Sequence, residues 1–317
     1  MKDLRPFTQG SFEALPDSPR LPHAYNDSVG HDVAVCTPRM GDVRAHVRVI
    51  GQGPPLLLVH GLMTSSYSFR YVMGPLSKRF TLYVPDLPGA GRSAWVPEAP
   101  FDPAAMAEWL VELQRALGIR GERVLGNSMG GYLCMHMALS DPACMSSLVN
   151  IHSPGVPEPR LYALSAALRT PGVAAGLAAY VQRAPLRFAH KNVHYWDESL
   201  KSLEEARAYG APLGDPQGAK CFVKFLRETM AIRHIRAFYS ILQERHRRGE
   251  AFVVPLQLVY ARQDPMVPPR FGPELSRLTG AELVFIEEGS HFAHVDAVDE
   301  LLPHLLRFWA QPAEARA

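Results

Sequence analysis

The chain has 317 residues, 47% hydrophobic and 20% charged, with a formal net charge of +2. The length suits one large domain or a core with an insertion, and the composition is ordinary for a soluble globular protein. The near-neutral charge gives no global pull toward nucleic acid or an anionic membrane, so neither is expected as a partner. Cys36, Cys134, Cys144 and Cys221 show no paired spacing and read as reduced thiols, with Cys134 a small core residue. The N-terminal residues lack the apolar core of a signal peptide and no stretch is long and apolar enough to span a bilayer, so a cytoplasmic location is expected.

Residues 1–30 are rich in proline and polar residues and read as an irregular arm. Arg44–Ile50 alternates polar and apolar residues, the period of an antiparallel edge strand with one wet face. Leu56–Val59 is apolar throughout, as a parallel strand covered on both faces should be. Thr64-Ser65-Ser66 offers caps for a helix over 67–79, and Thr81–Pro85 reads as the next strand. A helix starts at Asp102-Pro103 and runs to Gly118, with proline in its first turn and glycine past its end. Val124-Leu125 is a short strand, Tyr132–Leu139 a buried helix, and Ser147–Ile151 another strand.

The alternation then stops. Residues 155–249 hold helical patterns and no convincing strand, and strands resume at Leu256–Tyr260 and Glu282–Ile286 before a final helix over 297–310. The expected fold class is α/β, a doubly wound and mostly parallel sheet. The core spans 31–154 and 250–317, interrupted by a helical insertion over 155–249.

Gly126-Asn127-Ser128-Met129-Gly130 reads G-x-S-x-G between a short strand and an apolar helical run, the setting of a nucleophile elbow. A Cβ at Gly126 or Gly130 would clash where the turn packs on itself. A serine hydroxyl is a weak nucleophile and needs a base, which in turn needs an orienting acid. In the elbow fold these follow in the order serine, acid, histidine. Asp264 follows the strand Leu256–Tyr260 and His291 follows Glu282–Ile286, both beyond carboxyl ends of strands, where such sheets build sites. The oxyanion of a tetrahedral intermediate needs backbone donors. Met129 N–H and Leu62 N–H, the latter in the loop His60-Gly61-Leu62-Met63, are the candidates.

Together with Pro85-Asp86-Leu87-Pro88-Gly89-Ala90-Gly91-Arg92-Ser93, these motifs resemble the α/β-hydrolase superfamily across nearly the whole core. The resemblance implies a structural role for the Asp86–Ser93 loop, a cap formed by the insertion, and no cofactor. Related epoxide hydrolases and haloalkane dehalogenases carry aspartate at the elbow, whereas Ser128 suits acyl transfer to water. The expected function is therefore a serine hydrolase acting on a small to medium apolar ester or lactone, a small-molecule partner.

Two alternatives belong to the same resemblance. Gly126–Gly131 is similar to the elbow of meta-cleavage product hydrolases, which break a carbon–carbon bond and hold the substrate carboxylate with a cap arginine; Arg187, Arg233 and Arg236 are the choices here. Against that, the Gly-rich oxyanion loop is absent after His60-Gly61, and Phe292 replaces the usual tryptophan. A hydrolase fold can also serve as a small-molecule receptor, which an intact triad argues against. His291, His294 and Asp296 lack the rigid helical spacing of a closed metal site, and His190 and His194, four apart and a possible ligand pair, read better as scattered histidines of a cap helix, so no metal is expected. Gly210, Gly214 and Gly218 read as a flexible stretch of the insertion.

Overall fold

Strand β3 (Pro55–Val59) shows why the apolar runs carry no polar alternation. Leu57 and Val59 enter one buried cluster and Leu56 and Leu58 another, so both faces of the strand are dry. β5 (Glu122–Asn127) and β7 (Leu256–Ala261) divide in the same way, Val124 and Leu258 to one side, Leu125 and Val259 to the other. The computed structural model describes residues 6–311; the first residues of the expected arm and the end of the expected core, 312–317, lie outside the described residues.

With β1 (Val29–Thr37), β2 (Gly41–Ile50), β4 (Thr81–Pro85), β6 (Met145–Ile151) and β8 (Glu282–Ile286), the sheet has the order β1-β2-β4-β3-β5-β6-β7-β8. β1 and β2 pair antiparallel, as do β2 and β4, and every later pair is parallel. The chain leaves β3 for β4 on one side and returns to β5 on the other. This reversal of winding opens a crevice at the carboxyl ends of the strands.

Helices α1 (Arg70–Ser77) and α12 (Val298–Ala310) cover one face through Val72, Met73, Leu301 and Leu305. α2 (Pro103–Leu117), α3 (Met129–Ser140) and α10 (Phe271–Thr279) cover the other through Trp109, Tyr132 and Leu275. α2 starts where Asp102 accepts from Ala104 N and Ala105 N, and ends at Gly118 in the left-handed conformation at φ 69°. The short α11 (Ala293–Asp296) follows β8.

Three features depart from the sequence reading. The edge strand is β1, not the segment Arg44–Ile50, which lies second in the sheet as part of β2. The helix expected over 67–79 is a 3₁₀ turn at Ser66–Phe69 followed by α1. The glycines at 210, 214 and 218 sit in helices, and two of them are packing contacts rather than a flexible stretch. A Cβ on Gly210 would lie 2.7 Å from Leu186 Cα, and one on Gly218 would lie 2.0 Å from Pro212 O.

Between β6 and β7 run α4 (Pro159–Arg169), α5 (Val173–Arg183), α6 (Pro185–Asn192), α7 (Leu203–Gly214), α8 (Pro216–Lys224), a π-helical turn (Phe225–Thr229) and α9 (Ile232–Arg247). A buried ion pair fastens this insertion to the core. Arg70, fully buried at the start of α1, donates to Glu205 of α7 at 2.5 Å, and Tyr195 OH donates to the same carboxylate oxygen at 2.6 Å. The guanidinium lies 4.7 Å from the Tyr67 ring and 4.6 Å from that of Tyr71, which replaces water with π-faces. Removing one partner of such a pair leaves a buried uncompensated charge. Glu205→Ala should therefore lower stability by about 3–5 kcal/mol, read from the denaturation midpoint; an unchanged midpoint would refute the clasp.

Candidate active site

Ser128 stands between β5 and α3 with φ 54° and ψ −123°, a conformation rarely tolerated by a residue with a side chain. The glycines around it make that turn possible. A Cβ on Gly126 would fall 2.5 Å from Gly131 Cα, one on Gly130 would fall 2.3 Å from Val59 O, and one on Gly131 would fall 2.1 Å from Asn150 Oδ1. Backbone therefore lies against backbone on both sides of the serine. Ser128 N–H donates to Ile151 O at 2.8 Å, tying the turn to the end of β6.

His291 lies in the loop after β8, and its Nδ1 is 2.7 Å from Asp264 Oδ2. The other oxygen, Asp264 Oδ1, accepts from Met266 N at 2.6 Å and Val267 N at 2.9 Å, which fixes the carboxylate on its loop after β7. Burial alone would raise this carboxyl. The neighbouring His291, together with these hydrogen bonds, holds it below its ordinary range. Asn127, inside the elbow motif, donates to Ile151 O at 3.3 Å and to His291 O at 3.2 Å, so the serine turn and the histidine loop share one anchor. The sequence reading gave Asn127 no role.

Ser128, His291, Leu62 and Met129 all line one cavity of about 460 Å³. The Ser128 hydroxyl makes no hydrogen bond among the described residues; serine–imidazole contacts are often long before substrate binds. Nor does any hydrogen bond among the described residues engage the Leu62 or Met129 N–H. Both donors are thus available at the cavity wall. Met63, next to Leu62, has φ 64°, a second strained residue beside the cavity.

The rest of the wall is largely apolar. Leu161 and Leu164 of α4, Leu177 of α5, Phe188 of α6, and Phe222 and Leu226 after α7 face Met266 and Phe292 of the core. Arg187, Arg233 and Arg236 are absent from this wall. Arg187 is ion-paired with Glu13 at the surface, and Arg233 lines a separate cleft. Arg160 is a cavity-lining arginine, and Glu158 neutralises it at 3.0 Å. No signal in the sequence separates it from the other arginines of the insertion.

His152, at the end of β6, is a second neighbour of His291 that sequence reasoning missed. Its ring is 5.4 Å from that of His291, and its Nε2 accepts from Ala261 N. His152, Asp264 and His291 bring ligand atoms within 4.8 Å of one another. In this arrangement Asp264 and His291 are bonded to each other and His152 to the backbone. Neither His294 nor Asp296 joins this group: His294 is buried against Phe69, and Asp296 accepts from Trp196 N. His190 and His194 go separate ways, to Gly10 O and Glu198.

Burial pushes His152 down to about 3, whereas an unfolded imidazole titrates near 6.5. The unfolded chain therefore binds a proton that the folded chain refuses across that window. The stability this histidine contributes is complete above about pH 6.5 and is lost as pH falls toward 3, at roughly 1.4 kcal/mol per pH unit. A melting-temperature series over this range should show that acid slope, and His152→Gln should flatten it. An unchanged slope would show that the imidazole is not held neutral.

The sequence pattern of the family described as alpha/beta hydrolase fold matches residues 54–298. The chain is 27% identical over 287 residues to an uncharacterized protein of Mycobacterium tuberculosis, covering 86% of this chain and 80% of that one. It is 26% identical over 269 residues to the pimeloyl-[acyl-carrier protein] methyl ester esterase of Vibrio atlanticus, covering 82% and 96%. The fold superposes on a mutant of the meta-cleavage product hydrolase CumD with a TM-score of 0.68 and 19% identity, covering 90% of this chain and 99% of that one. A doubly wound sheet of this order, with a pattern match over most of its length, places the chain in the alpha/beta hydrolase family.

Proposed function

We propose that this protein is a serine hydrolase that cleaves a small to medium, mostly apolar carboxylic ester or lactone through an acyl-enzyme. The observation that carries the reading is the Asp264–His291 pair, 2.7 Å apart, opening with Ser128 onto one apolar cavity of about 460 Å³. In this mechanism His291 Nε2 takes the Ser128 proton as the hydroxyl attacks the acyl carbon. Asp264 holds the imidazole by its Nδ1–H and stabilises the imidazolium. The Leu62 and Met129 N–H groups receive the oxyanion, a contribution worth about 3–4 kcal/mol per donor. The imidazolium then protonates the leaving alkoxide, and water attacks the acyl-enzyme by the same route. The helical insertion acts as the cap, supplying the apolar wall that receives the acyl chain.

The relatives named as methyl ester esterases support cleavage of an ester. Likeness to a meta-cleavage hydrolase at 19% identity concerns the fold alone. Arg187, Arg233 and Arg236 are absent from the cavity wall, and Arg160, which lines it, is already paired with Glu158, so the carbon–carbon reaction lacks an unpaired arginine for the substrate carboxylate. Four free cysteines suit a reducing, cytoplasmic setting.

A p-nitrophenyl ester series from acetate to decanoate tests the proposal. Wild type should turn over these esters, with a chain-length optimum set by the cavity. Ser128→Ala should lose about 10⁴-fold or more in kcat, and Asp264→Asn about 10³–10⁴-fold. Activity persisting in Ser128→Ala would overturn the nucleophile. Failure on every ester with turnover of a dienolic dioate would replace the reaction class.

A further inference from the structure

The net charge of +2 conceals a division of charge. Residues 155–249 carry 15 Lys and Arg against 8 Asp and Glu, while the rest of the chain carries 18 against 23. Within the insertion, residues 159–196 hold Arg160, Arg169, Arg183, Arg187 and Lys191 and no carboxylate side chain. Neither Arg169 nor Arg183 has an ion pair among the described residues, and both are exposed.

The two helices that bear these arginines, α4 and α5, are apolar on both sides. Their inner faces supply Leu161, Leu164 and Leu177 to the candidate active-site cavity. Their outer faces present Tyr162, Ala166, Val173, Ala179 and Tyr180 to solvent, with Tyr180 61% exposed, Tyr162 46% and Val173 40%. These three large apolar residues lie outside the buried clusters. A helix on a globular protein normally turns a polar face to water. An apolar outer face calls for a cover.

We infer that the outer face of the α4–α5 hairpin docks on an anionic lipid surface. An exposed apolar stripe with tyrosines, edged by arginines and with no acid of its own along 159–196, matches both layers of such a surface, although Arg169 also borders a cleft that holds Asp102 and Glu228. Its headgroup phosphates meet Arg169 and Arg183, and its acyl boundary receives Tyr162, Val173 and Tyr180. A second copy of the chain would set this cationic face against another of the same sign. The docked helices roof the cavity, so an apolar substrate partitioned into the lipid lies one helix thickness from the site. This consequence rests on the proposed esterase reading; the docking itself does not.

Sedimentation with phosphatidylcholine vesicles, with and without phosphatidylglycerol, tests the docking on the Ser128→Ala protein, so that turnover plays no part. Binding should appear with phosphatidylglycerol at low salt and fade at high salt. Arg169→Ser and Arg183→Ser should each weaken it about fivefold. Tyr162→Ser with Tyr180→Ser should weaken it while leaving the salt dependence in place. In the wild-type background these surface variants should keep full activity on a short water-soluble ester. The proposal falls if anionic vesicles are not bound at low salt, or if binding survives all four substitutions. It also falls if the hairpin variants instead abolish a concentration-dependent dimer or binding to an acidic protein, with no vesicle binding by the parent.

Discussion

The site depends on backbone passing directly against backbone. Gly126, Gly130 and Gly131 let the elbow lie on itself, on the end of β3 and on Asn150, with no room for a single added carbon. That contact holds Ser128 at φ 54°, a strain of about 1–3 kcal/mol that no local preference would sustain. The surrounding hydrogen bonds spread the same constraint. Ser128 N reaches the end of β6, and Asn127 reaches both β6 and the His291 loop. Ser128 and His291 thus come from strands three places apart in the sheet, β5 and β8, and are still fixed in one frame.

Around that frame the charges are few and committed. Each Asp264 oxygen has its own work, one for the loop backbone and one for His291. His152 and His294, close to His291, are held neutral by burial, so no permanent positive charge on them competes with His291 for the carboxylate. The cavity in front is apolar except for a few groups, among them the paired Glu158 and Arg160. A dry wall strengthens every interaction with charge that develops on the reacting atoms.

Much of this was legible in the sequence because it rests on strong local constraints. Continuous apolar runs marked the buried strands, and glycines at fixed distances from Ser128 marked the elbow. β1 was not legible: along Val29–Thr37 only Val35 and Thr37 are buried, and the strand is held by pairing with β2 rather than by a hydrophobic face. Gly210 and Gly218 read as flexible because their partners, Leu186 and Pro212, approach only once the helices have packed. Asn127 and His152 escaped because their importance lies in contacts across the sheet, to residues more than a hundred positions away in three of four cases. The exposure of Tyr162 and Tyr180 escaped for the opposite reason, since periodicity shows which residues are apolar and not which of two apolar faces is covered.

The Arg70–Glu205 clasp also bears on how this fold can be recombined. Its arginine belongs to the core and its carboxylate to the insertion, and the tyrosines that shelter the charge come from both. Grafting a foreign insertion onto this core would strand the guanidinium in a dry slot, and moving this insertion elsewhere would strand the carboxylate. The two pieces therefore travel as a matched set, joined by a lock whose halves are written 135 residues apart. The α4–α5 hairpin carries no part of that lock, so its side chains can change without disturbing the joint between insertion and core.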